Sequence, residues 1–286
     1  MEYRKEIDGL RALAVIPVIL FHAGFQLFSG GFVGVDVFFV LFACIPLAWV
    51  LFLPSDLYKF SKSLVAVSTF TSNLLFWRWS GYFDIASELK PLLHTWSLAV
   101  EEQFYLLFPI FLILVSKTRK QCYFSILLVL ALLSFLIAQY FSLDRPFFTF
   151  YLLPTRAWEL FIGALLAIKT LRSKLEYFGR SALEFFSITG LLGICISVFY
   201  FSKSTPTPSF FTLIPTFSAA LLIYSANKTN LVGKLLSSRP MVSMGLISYS
   251  AYLWHQPLLA FTKYSYSERA DDIYLLVVFL TFFFHF

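Results

Sequence analysis

The chain has 286 residues, of which 59% are hydrophobic, 20% aromatic and only 13% charged, with a mean hydropathy of +0.77 and a formal net charge of +6. A soluble domain carries about 45–50% apolar and about 25% charged residues, so this composition excludes one. The apolar runs are continuous rather than alternating, which excludes a membrane β-barrel, and the positive charge belongs to cytoplasmic loops, not to nucleic-acid binding.

In chain order the apolar segments fall at about 8–28, 31–53, 64–79, 98–116, 121–141, 150–168, 183–202, 209–226, 240–262 and 273–286. A helix crosses a hydrocarbon core in about 20 residues, so the expected fold is all-α: a polytopic transmembrane helix bundle of about 9–10 segments. It reads as a single integral-membrane domain over 1–286, with short connections and no internal repeat. Basic residues collect in "YRKE" (3–6), "SKTRK" (116–120), "KTLRSKLEYFGR" (169–180) and "NKTNLVGKLLSSR" (227–239). Their alternation with less basic loops places the N-terminus in the cytoplasm and residues 80–97 outside. The first run holds Arg11 and His22 with no small-residue cleavage site before Gly30, so it reads as a span, not a signal peptide. Cys44, Cys122 and Cys195 show no paired or metal-binding spacing and read as small apolar fillers; no metal site is expected.

Ionisable groups inside spans are expensive and point to function. Arg11 and His22 lie eleven residues apart, on one helical face and about 16 Å apart along the axis, with Asp8 near the same stripe. Snorkelling of Arg11 and a capping role for His22 is the plainer account. Asp36 enters the next run beside a Gly-rich turn, in "GGFVGVDVFFV". In "PLLHTWSLAVEEQFYLLFP", His94 and Trp96 sit at the outer interface, and Glu101 and Glu102 follow. Adjacent helical carboxylates point about 100° apart, so at most one faces a given partner; a helix-dipole role is the alternative. Arg156 and Glu159 are spaced to pair along one face, and that pairing alone would account for them. "ISYSAYLWHQPLL" places Tyr252, His255 and other polar groups in an apolar helix, where interhelical hydrogen bonding is the simpler reading. Together, histidines, carboxylates and arginines near one membrane face suit acyl transfer to an alcohol, with imidazole as proton acceptor.

These blocks in order, "DGLRALAVIPVILFHAG", "GGFVGVDVFFV", "LLHTWSLAVEEQFYLLFP", "RAWELFIGALLA" and "ISYSAYLWHQPL", resemble the acyltransferase 3 family of integral membrane O-acyltransferases. The resemblance implies an inner-membrane, multi-pass enzyme with no bound cofactor. It would move an acyl group, usually acetyl, from cytoplasmic acetyl-CoA to a hydroxyl of an envelope carbohydrate such as lipopolysaccharide O-antigen. The partners it implies are the acyl-CoA donor, the carbohydrate and membrane lipid. By motif position it points to His22 as general base or acyl relay, with Asp36, Glu101 or both orienting it. Arg11 would engage the donor's anionic part, and Arg156, Glu159, His94 and His255 would line substrate. A transporter or flippase of a glycan or lipid intermediate, and an inactive family remnant, are the competing readings.

The sequence departs from the family after Val40. There "VDVFFV" meets "LFACIPLAWVLFLPSDLYKF" directly, without the Ser-Gly turn and Arg-rich loop suited to acyl-CoA phosphates. This reads as an internal deletion fusing the start of one crossing to the end of the next, with 64–79 as a compensating span. The run 273–286 is about 14 residues against the roughly 20 of a crossing, so the chain reads as cut within a helix.

Overall fold

The computed structural model describes residues 31–80, 89–116, 122–168, 178–202 and 204–265, with side chains from Val40 onward except Ser116. Among these residues every regular element is a helix, as expected of an all-α membrane bundle. The helices are α1 (Gly31–Leu51), α2 (Pro54–Ser68), α3 (Ser72–Trp79), α4 (Thr95–Ser116), α5 (Cys122–Phe141) and α6 (Pro146–Tyr151). They continue with α7 (Leu153–Ala167), α8 (Arg180–Tyr200), α9 (Phe210–Ser225), α10 (Leu231–Leu236) and α11 (Arg239–Ser265). Three of them are long and apolar enough to cross a bilayer: the Thr95–Val115 part of α4, α5 and α8. Their exposed faces carry large apolar side chains such as Leu106, Ile113, Leu136 and Phe199, as lipid contact demands.

The chain divides into two compact units. The described part of the first is Leu106–Leu246. Here α5 packs on α7, and α8 on α9. Ala131, Phe135 and Trp158 form one buried cluster, and Ile194, Leu222, Ala226, Val232 and Leu236 another. The α8–α9 contact is close because its residues are small. A Cβ on Gly190 would stand 2.8 Å from the Ser218 carbonyl oxygen, the arrangement by which membrane helices approach without a hydrophobic drive. The Ser134 hydroxyl donates to the Pro154 carbonyl at 2.6 Å and accepts from the Trp158 amide at 3.0 Å. It thereby fills a rung of α7 and fixes that helix to α5.

The second unit holds residues 31–105 and 247–265 among those described. α1 runs unbroken through the 40–41 junction, and Val40, Leu41, Cys44 and Ala48 are buried on one face of it. The fused segment inferred from sequence is thus a single helix of 21 residues, about 30 Å long. Cys44 is buried, as a filler should be, whereas Cys122 is exposed. The expected span at 64–79 is corrected. α2 ends at Ser68, Phe70 adopts a left-handed φ of 53°, and α3 restarts at Ser72. A non-glycine residue holds that conformation only when its surroundings impose it. The Gln103 amide donates to the Phe70 carbonyl at 2.9 Å and to Asn73 Oδ1 at 2.9 Å, and Asn73 Nδ2 donates back to Gln103 Oε1 at 3.3 Å. Ser72 Oγ adds a bond to the Thr95 carbonyl at 2.9 Å. These contacts tie the α2–α3 turn to α4, the helix that carries Glu101. Because Asn73 is fully buried, Asn73→Leu should cost about 1–3 kcal/mol by stranding the Gln103 amide, read as a lowered Tm in detergent.

The expected segment 150–168 is likewise two helices, α6 and α7, parted at Leu152, with Pro146 and Pro154 each in a helical first turn, where proline fits. The segments 8–28 and 273–286 lie outside the described residues.

Candidate functional site

The polar cluster of the second unit is built where α4 begins. Residues 91–94 form a turn, and the His94 carbonyl, which accepts from the Ser97 amide at 3.4 Å, takes side-chain donors as well. Tyr252, on α11, donates its hydroxyl to that carbonyl at 2.7 Å, and Ser97 Oγ lies 2.6 Å from the same hydroxyl and 3.2 Å from the carbonyl. A hydroxyl has one proton to donate. With Tyr252 spending its proton on the carbonyl, the short contact makes Ser97 the donor to Tyr252, a chain running Ser97 to Tyr252 to His94. Glu101, one helical turn beyond Ser97 on the same face, is buried and coupled electrostatically to Tyr252.

The His94 side chain is the unusual member. It is 7% exposed, and neither ring nitrogen has a hydrogen-bond partner among the described residues, although buried polar groups are almost always paired. Its ring meets Tyr252 edge-on at 5.3 Å between centroids and His255 at 5.4 Å. Burial first, and the neighbouring His255 second, push the imidazole down from the ordinary histidine range to about 3, with the Pro91 backbone pulling weakly the other way. His94 is therefore neutral, with an open lone pair. His255 differs: Nδ1 meets the Tyr252 carbonyl one turn back, which makes Nδ1 the protonated nitrogen and leaves Nε2 as an acceptor. The next residue, Gln256, donates to the Lys90 carbonyl at 3.2 Å, tying α11 to the strand of chain that leads into His94.

Of the residues singled out by sequence, His94, Glu101 and His255 thus stand in one unit around Tyr252 and Ser97. Glu101 is buried and Glu102 half-buried, the division expected of adjacent carboxylates. Arg156 and Glu159 belong to the other unit. They form the expected pair, at 2.9 Å, with Arg156 over the Phe150 ring, so their mutual contact gives them a structural reason to be there. Arg11 and His22 lie outside the described residues. Asp36 lies on α1, and its side chain is outside those described. Ser97 was not legible as a site residue. Its one signal is its spacing from Glu101, and its partner Tyr252 is 155 residues away in sequence.

An arrangement of two imidazoles, a pair of bonded hydroxyls and a buried carboxyl can accept a hydrogen bond from an entering hydroxyl and hold it in place. A family model described as "Acyltransferase domain" matches residues 4–286 of the chain. The chain is 26% identical over 331 residues to the O-acetyltransferase OatA of Staphylococcus aureus (strain NCTC 8325 / PS 47), covering 96% of this chain and 54% of that protein. It is 29% identical over 311 residues to the peptidoglycan O-acetyltransferase OatA of Listeria monocytogenes, covering 91% of this chain and 50% of that one. The chain therefore spans about half the length of the curated relatives it matches. Both alignments are longer than the 286 residues of this chain, so each relative carries residues within the matched region that have no counterpart here. No solved structure matches.

Proposed function

Because the chain belongs to the acyltransferase domain family, we propose that it is a membrane O-acyltransferase moving an acetyl group from acyl-CoA to a hydroxyl of an envelope carbohydrate. The observation that carries this reading beyond the family is His94: a buried, neutral, unpartnered imidazole beside a Ser–Tyr relay and a buried carboxyl. That is an acceptor waiting for a donor, and an alcohol supplies one. The name of the Listeria relative favours peptidoglycan over O-antigen as the carbohydrate.

In the mechanism we propose, an acceptor hydroxyl gives its proton to an imidazole as its oxygen attacks the acyl carbon. The C–O bond forms, the acyl–sulfur bond breaks, and coenzyme A leaves as the thiol after taking up the proton. His22 is the base or acyl relay, oriented by Asp36 or Glu101, and Arg11 meets the donor's anionic part. His94 and His255 receive the acceptor. Arg156 and Glu159 contribute through their pairing. The N-terminus is cytoplasmic and the membrane is the inner one, in line with the basic loops.

The donor side is where this chain departs from its family. We place the missing residues after Val40, a position consistent with relatives that exceed this chain inside the matched region. In cells with no other envelope O-acetylation, the chain should deposit ester-linked acetate on the glycan, and inserting a basic loop after Val40 should raise the yield. A flippase would move the glycan without any acetyl-CoA requirement, and an inactive remnant would leave no ester with or without the loop; either result contradicts the reading.

A further inference from the structure

At one end of the α8–α9 pair, in the first unit, a short helix is fastened to the tips of both. Beyond Ser225 the chain turns through residues 226–230, forms α10 and enters α11 at Arg239. Asn230 builds the turn: its Nδ2 donates to the Ser225 carbonyl at 2.7 Å, and its Oδ1 accepts from the Gly233 amide at 2.8 Å. A Cβ on Gly233 would run into the Asn227 carbonyl, so glycine is what lets α10 fold back on the turn. The start of α8 holds the same structure from the other side. Glu184 accepts from the Leu231 amide at 3.0 Å, and Arg180 donates to the Thr229 carbonyl at 3.4 Å. α10 is therefore fixed at the end of a helix long enough to span, where a bilayer would meet water.

α10 has two unlike faces. Val232 and Leu236, one turn apart, are buried in the cluster with Ile194 and Leu222. Leu231 and Leu235, also one turn apart, are 70% and 51% exposed, and Lys234 is exposed as well. At 100° per residue these last three share one side of the helix, opposite the core. Lys228 and Arg239, just before and after α10, are exposed too. Over 180–184 and 226–239 the charges are Arg180, Lys228, Lys234 and Arg239 against Glu184, and the Leu231 amide already engages that carboxylate. Basic residues alone would record only which side of the membrane a loop occupies. The two leucines among them add a second requirement. Water disfavours bare leucine, whereas a headgroup layer takes leucine into its acyl boundary while the lysines beside it snorkel to phosphate.

From this geometry we infer that α10 and its flanks form a docking surface for an anionic phospholipid. Lys228, Lys234 and Arg239 hold its phosphate, and Leu231 and Leu235 meet its acyl chain. The test gives the full chain, in detergent, equal amounts of phosphatidylglycerol and phosphatidylcholine and counts the retained lipids by native mass spectrometry. Each basic residue near an anionic headgroup adds about fivefold in affinity, so phosphatidylglycerol should be favoured by at least about tenfold. The triple variant Lys228→Gln, Lys234→Gln, Arg239→Gln should abolish that preference. The double variant Lys59→Gln, Lys62→Gln, which removes exposed cations from α2, should leave it intact. Leu231→Ser, Leu235→Ser should cut retention of phosphatidylglycerol by about tenfold, and excess coenzyme A should not displace it. Every substituted side chain is exposed, so the variants keep the fold. Equal retention of the two lipids, a preference that survives the triple variant, or one that falls equally in the α2 variant would overturn the assignment. So would displacement by coenzyme A or full retention by the serine variant, since either would make the cations a site for a soluble phosphate.

Discussion

His94→Leu should lower acetyl transfer by about 10²-fold, the loss expected when an acceptor hydroxyl is no longer held in place, while leaving the Tm of the chain unchanged or raised. The two halves of this expectation come from the same observation. A buried polar group without a partner costs about 1–3 kcal/mol, and His94 keeps two such nitrogens. Leucine fills a similar volume and removes both, so the folded state gains. If the imidazole served only to pack against Tyr252 and His255, the substitution would lower Tm and spare turnover. Activity assayed alongside thermal unfolding separates the two roles. A folded, more stable and inactive variant is the result expected of a site residue.

His22→Ala is the second large expected loss. Read as a helix, the first apolar run carries His22 on the same face as Arg11, about 16 Å along the axis; a histidine there has no water in the bilayer to satisfy it and needs a reason to be in an apolar run. Envelope O-acetylation should fall to background in a strain whose only acetylase is the His22→Ala chain, and Arg11→Ala should instead raise the KM for the acyl-CoA donor. Full activity with either alanine would remove that residue from the mechanism.

The all-α membrane fold was legible because continuous apolar runs leave few alternatives, and helical geometry alone foretold the unequal burial of Glu101 and Glu102 and the Arg156–Glu159 pair. The break within 64–79 was not legible. Phenylalanine gives no sign of a left-handed turn, which is held by the Thr71 amide bonded to the Ala66 carbonyl and by Gln103, 33 residues away. The same holds for the site. Each of His94, Glu101 and His255 could be singled out as a costly group in an apolar setting. That Tyr252 would bond to both Ser97 and the His94 carbonyl could not, since contacts across some 155 residues leave no periodicity to read. The helix through the 40–41 junction is a further instance. Sequence singled out 40–41 as a junction, and the structure shows one uninterrupted helix running through it.

The central claim is that this chain itself carries acetyl from a thioester to a sugar hydroxyl. The direct test reconstitutes the full chain in proteoliposomes with acetyl-labelled acetyl-CoA and N-acetylglucosaminyl-N-acetylmuramic acid. The account expects label in an alkali-labile ester on the sugar, made by the wild-type chain and lost in both His22→Ala and His94→Leu. Absence of the ester with the wild-type chain, or its undiminished formation in both variants, would contradict the account.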